Sequence, residues 1–125
     1  MDIQRQINYW RDGSTEDLEA ADVLLERKKI RHALFFAHLA VEKAIKAHVT
    51  RDTSSIPPKT HNLVRLAERT SLKISSHRMR LLRILNVYQS VGRYPEEAQV
   101  FISLEIARKD MASARKMVQW LIERL

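Results

Sequence analysis

Apolar and small residues recur at alternating steps of three and four along most of this chain, the period of one face of an α-helix. The stripe Ile3, Ile7, Trp10, Ser14, Leu18, Ala21 and Leu25 runs straight through Gly13. Residues 3–27 are therefore expected to form one helix with Trp10 in the core, since an interior glycine costs only about 1 kcal/mol against a packed face. A restart at Ser14, with Asp17 as its capping partner, is the competing reading. The last segment is the most regular: Leu104, Ala107, Met111, Ala114, Val118, Leu121 and Leu125 form a straight seam suited to antiparallel packing.

Residues 31–49 carry two organised faces. Ala33, Ala37, Ala40, Ala44 and Ala47 line one side, where small side chains let a neighbouring helix approach closely. On the other side Arg31, Phe35, His38, Glu42 and Lys46 fall within about 80° of one another. This helix is expected to end near Thr50, before the loop Arg51 to Lys59 with its adjacent prolines. Thr60 is placed to cap a short helix from His61 to about Thr70, with Leu63, Leu66 and Ala67 as its stripe. After a break around Ile74 to Ser76, a further helix turns Leu81, Leu85, Tyr88 and Val91 inward, and Gly92 and Pro95 are expected to stop it. The pattern predicts an all-α, antiparallel up-and-down bundle of four long helices plus one short helix, a single domain over residues 1–125.

Composition narrows the chemistry. Apolar residues make up 45% of 125, enough for a core, and two glycines with three prolines leave few tight turns. With no cysteine there is no disulfide, zinc ribbon or thiol nucleophile, which fits a reducing cytoplasm. No apolar run approaches the ~18 residues of a membrane span, and the first residues lack a signal-peptide pattern. A soluble cytoplasmic protein with no membrane partner is expected. Two glycines cannot build a phosphate loop, and no nucleophile elbow is present. Glu-x-x-His does not occur on two helices, so neither a metal centre nor a cofactor is expected.

The net charge of +7 favours an anionic partner, or serves solubility. Its densest clusters are Lys28, Lys29 and Arg31 at the first turn, and Arg78, Arg80 and Arg83 further on. What remains open chemically is work on nucleic acid, where imidazole moves protons and Arg or Lys steadies phosphate charge.

Three segments carry a family resemblance: AVEKAIKA (Ala40 to Ala47) after Phe35 and Phe36, PPKTHNL (Pro57 to Leu63), and GRYPE (Gly92 to Glu96). In order and spacing they resemble the HEPN family, the higher eukaryote and prokaryote nucleotide-binding helical bundles, over nearly the whole chain. The resemblance implies an up-and-down bundle, commonly a homodimer, often paired with a minimal nucleotidyltransferase in a toxin–antitoxin-like module. It also implies, in many relatives, a metal-independent endoribonuclease using an Arg followed four to six residues later by His near the start of a late helix. This chain departs there, because its histidines stand at 32, 38, 48, 61 and 77, so none follows Arg78. Earlier formal matches are Arg27 with His32, about 140° apart, and Arg31 with His38, within about 20° on one face.

The expected function is a nucleotide- or RNA-binding module without catalysis of its own. The candidate binding residues are Lys43, Lys46, His61, Arg78, Arg80, Arg83 and Arg93. One alternative is an endoribonuclease using Arg31 and His38; another is a helical interaction scaffold. Simpler roles stand beside these: Glu42 and Lys46 as an (i, i+4) ion pair, Thr60 and His61 as a helix start, and Arg93 to Pro95 as a helix end.

Overall fold

The alanine-rich stretch becomes the centre of the molecule. In the computed structural model, which describes residues 1–93 and 102–125, helix α2 (Ile30–Thr53) packs against each of the other described helices. These are α1 (Ile3–Glu26), α3 (Leu63–Glu68), α4 (Ser76–Arg93) and α5 (Leu104–Glu123). Ala33, Ala37, Ala40, Ala44 and Ala47 are wholly enclosed, and so are Leu34, Val41 and Ile45 on other sides of the same helix.

Side-chain pairings fix the directions. Trp10 with Lys46 and Ser14 with Ala40 run in opposite senses, so α1 and α2 are antiparallel. Tyr88 with Asp110 and Arg78 with Trp120 make α4 and α5 antiparallel too, whereas His48 with Leu121 and Arg51 with Arg124 bring the C-terminal ends of α2 and α5 together. The result is the expected up-down-up-down bundle, with α2 in its middle. No described helix is long and apolar enough to cross a membrane.

Local chemistry sets the ends. Asp2 accepts from the Arg5 N–H at 3.0 Å to start α1, and Ser103 accepts from Ile106 at 3.1 Å to start α5. α2 runs to Thr53, beyond the expected Thr50, and stops where Ser54 turns left-handed (φ 52°). The short helix is capped by Asn62 rather than Thr60. The Asn62 carboxamide accepts from Val64 and Arg65, while the Thr60 hydroxyl accepts from the Asn62 N–H. On α4 Leu85 is fully enclosed as expected, but its enclosed neighbour is Leu82, with the expected Leu81 only partly buried.

Both glycines sit inside helices, each for a different reason. Gly13 leaves room for Lys43, whose Cδ would lie 3.0 Å from an added Cβ and whose ammonium reaches Asp17 at 2.8 Å. Gly92, next to the last described residue of α4, lets the helix pass Phe35, whose Cβ would lie 2.7 Å from an added methyl. Pro95 lies outside the described residues. Trp10, expected in the core, is half-buried, its ring edge-on to Tyr9 at 5.0 Å and beneath the Lys46 ammonium.

These two environments predict opposite outcomes for one substitution. Gly92→Ala should destabilise by about 1–3 kcal/mol, since neither backbone nor Phe35 Cβ can yield without displacing a helix. Gly13→Ala should be neutral or stabilising by up to about 1 kcal/mol, because a lysine stem moves aside and helix propensity improves. Urea midpoints of the two variants check the contrast.

Candidate functional site

The polar face of α2 meets the loop before α3 and the second half of α4. Spaced four residues apart, His38, Glu42 and Lys46 stack on one side of α2, and all three are buried. Glu42 accepts from the Lys46 ammonium at 3.0 Å through Oε2 and from His61 Nδ1 at 2.9 Å through Oε1. His61 itself is exposed, so a buried carboxylate orients a surface imidazole. Because carboxylate only accepts, the ring's Nδ1 carries the proton and its Nε2 edge points away from Glu42.

His38 plays a different part. Burial pushes its imidazole down to about 4, against the upward pulls of Glu42 and the His61 carbonyl. It is therefore neutral, donating from Nε2 to the His61 carbonyl at 2.9 Å, with Glu42 Oε1 3.8 Å from Nδ1. That bond ties the loop to α2. On the far side, the Asn86 carboxamide accepts from the Leu63 N–H at 2.9 Å and donates to Asn62 at 3.1 Å, which ties the same loop to α4. His61, Asn62, Asn86 and Gln89 line a shallow depression of about 230 Å³.

Two further polar links brace the bundle. His48, also lowered chiefly by burial, donates to the Leu121 carbonyl at 2.7 Å and accepts from Arg51 at 3.1 Å. It thereby satisfies a carbonyl in the last turn of α5. The Tyr88 hydroxyl donates to buried Asp110, and burial together with that carboxylate raises the phenol.

Two of the segments that carried the resemblance meet here, α2 and the Pro57–Leu63 loop, through Glu42 and His38; of the third, Gly92 faces Phe35 of α2 and Tyr94 to Glu96 lie outside the described residues. The family model of the HEPN domain matches residues 7–125. The chain belongs to the HEPN family. This HEPN domain also shares its fold with TT1696 from Thermus thermophilus, whose crystal structure matches with a TM-score of 0.83 at 20% identity, covering 96% of this chain and 98% of that one. None of the curated proteins matches the chain.

The fold sorts the candidate residues of this HEPN domain into separate groups. His38, Lys46 and His61 come together around Glu42. Lys43 is turned the other way, onto Asp17 of α1. Arg78 lies over Trp120, its Cζ 4.3 Å from the ring centroid, while Arg80 and Arg83 are exposed on α4. Arg93 closes α4, and its side chain, with Tyr94 to Glu96, lies outside the described residues. Arg31 is half-exposed, whereas His38 has no exposure at all, so RNA cannot reach that imidazole and the Arg31–His38 pairing has no accessible base.

Asn62, Asn86 and Gln89 escaped the sequence reading. A faint signal was present in Asn86, a poor helix former set within the apolar run Leu81 to Tyr88.

Stability should fall with acid in a defined window. Below pH 6.5 the unfolded chain takes up protons at His38 and His48 that the folded chain refuses, so the loss grows as pH drops towards 4. His38 alone contributes on the order of 3 kcal/mol of this loss. Urea midpoints at several values between pH 7 and 4 measure it. His38→Gln should show a flatter slope than the parent across that window, even if less stable at pH 7.

Proposed function

We propose that this HEPN domain binds single-stranded RNA or nucleotide along one ridge of α4 and does not itself cleave it. The observation that carries this reading is the row Arg80, Arg83, Asn86 and Gln89. Spaced by three, these residues form one inclined ridge that rises about 14 Å along α4 while winding about halfway round it, leading from two exposed arginines into the depression beside His61. The arginines suit phosphate; the amides suit base edges, and an exposed imidazole suits stacking. Lys43 and Lys46 drop out of the binding set, since Asp17 and Glu42 already neutralise them.

A ribonuclease reading survives in altered form. The Glu42–His61 pair is the arrangement that orients a general base, so the candidate shifts from His38 to His61. Against it stands the lining of the depression: beyond His61 it holds only neutral amides, with no cation to steady a developing phosphorane charge.

Arg80→Gln with Arg83→Gln should weaken binding to a short single-stranded RNA and flatten its log–log salt slope by about 0.7 per lost contact. Asn86→Ala should weaken binding with little change in slope. Purified protein with a chelator should leave the RNA intact. Cleavage with a bell-shaped pH profile, lost in His61→Ala, would establish the ribonuclease instead.

The same proposal includes a cytoplasmic homodimer that partners a minimal nucleotidyltransferase in a toxin–antitoxin-like pair. Family membership supports the pairing, and Val87 and Ile106, large apolar side chains at least half exposed on α4 and α5, support self-association. Sedimentation equilibrium at micromolar concentration should return twice the chain mass.

A further inference from the structure

A second pocket, of about 270 Å³, opens where the first turn of α4 meets α5. Arg78 points into it from a direction about 160° around α4 from Arg80 and about 140° from Arg83, while Asn86 and Gln89 stand about 12 Å or more further along the helix, so this pocket and the ridge are separate. Its apolar floor is Leu81 and Met117. Above that floor stand His77, Arg78 and Lys116, with the hydroxyls of Ser75 and Ser113. Among the described residues no carboxylate lines it, and neither Arg78 nor Lys116 forms an ion pair.

What separates this pocket from an ordinary basic surface is that its guanidinium is held. Arg78 lies over Trp120 with its Cζ 4.3 Å from the ring centroid, and Arg124 lies over the same indole with its Cζ at 4.4 Å. A guanidinium held over a ring by cation–π attraction keeps its N–H donors, the groups that grip two oxygens of one anion. The Ser75 hydroxyl accepts from the Arg78 N–H at 3.2 Å, so α4 begins at the pocket and turns its positive end towards it. An apolar floor excludes water and strengthens every charge above it.

We propose that this pocket is a phosphate site, taking the phosphate of a nucleotide or of an RNA chain between Arg78 and Lys116. It is independent of the α4 ridge, and each can fail without the other. A phosphate group with part of its ester fills such a volume, and the preoriented arginine favours a tetrahedral oxyanion over chloride.

The chain's two tryptophans make the test direct, because Trp120 touches Arg78 and Trp10 stands on α1, away from the pocket. Two-dimensional ¹⁵N NMR would follow both indole N–H signals during titration with inorganic phosphate, with AMP and with a short RNA, each against sodium chloride of equal ionic strength. The Trp120 signal should move saturably while Trp10 stays. In Arg78→Gln with Lys116→Gln the apparent Kd should rise at least tenfold, and Lys116→Gln alone, an exposed change that spares the stack, should raise it severalfold.

Equal response to inorganic phosphate and AMP would identify the phosphate group itself as ligand. Response to RNA alone would identify a backbone phosphodiester. A Trp120 signal that stays still in all three titrations, that chloride moves equally, or that the Lys116→Gln variant reproduces unchanged would overturn the site. Side-chain amide signals of Asn62, Asn86 and Gln89 report the ridge separately, so failure here and failure there are distinguishable.

Discussion

A helix enclosed on every side must find partners inside the protein for whatever polar groups it carries. α2 carries five such residues in the buried class: His38, Glu42, Lys46, His48 and Thr50. Each is answered. Glu42 joins Lys46 and His61, His38 reaches the His61 carbonyl, His48 reaches the Leu121 carbonyl, and Thr50 bonds back to the Lys46 carbonyl at 2.9 Å. The rest of the architecture follows from these obligations. The loop before α3 lies where it does because two of its groups complete the α2 network, and the end of α5 docks where His48 and Arg51 meet its last carbonyls.

Such a network contributes uniqueness more than raw stability. Desolvating a carboxylate and an ammonium offsets most of what their attraction returns, so apolar side chains of similar shape would hold α2 nearly as well. They would not hold the Pro57–Leu63 loop. Only a buried carboxylate fixes His61 in one orientation at the surface, and only the neutral His38 ring donates to the backbone beneath it. The candidate binding surface is therefore supported from below by groups that never touch a ligand.

The same logic divides the positive charge. A net +7 is a property of the whole chain, but individual cations have different fates. Lys43 and Lys46 are neutralised within the fold, Arg51 and Arg115 pair with Asp52 and Asp22, and Arg78 lies over an indole. Arg80 and Arg83 remain exposed to solvent on α4. Function follows from that distribution more than from the total.

Helix positions, the alanine face of α2 and the seam of α5 were legible in the sequence, because the helical period makes burial a local property of spacing. So was the convergence of His38, Glu42 and Lys46 on one side. The boundary residues were less legible, since Asn62 and Thr60 both offer a capping oxygen and only the chain's path chooses between them. Gly92 reads locally as a stop, but its contact with Phe35, more than fifty residues away in sequence, cannot be read locally. Trp10 shows the same limit, because a stripe predicts which side faces inward but not how far the neighbouring helix reaches along it. Beyond the (i, i+4) pair of Glu42 and Lys46, tertiary structure alone decided which charges are neutralised, which imidazole is enclosed and which exposed, and that Asn86 and Gln89 stand beside His61. Those outcomes are set by contacts between helices distant in sequence, and no periodicity encodes the partner across the gap.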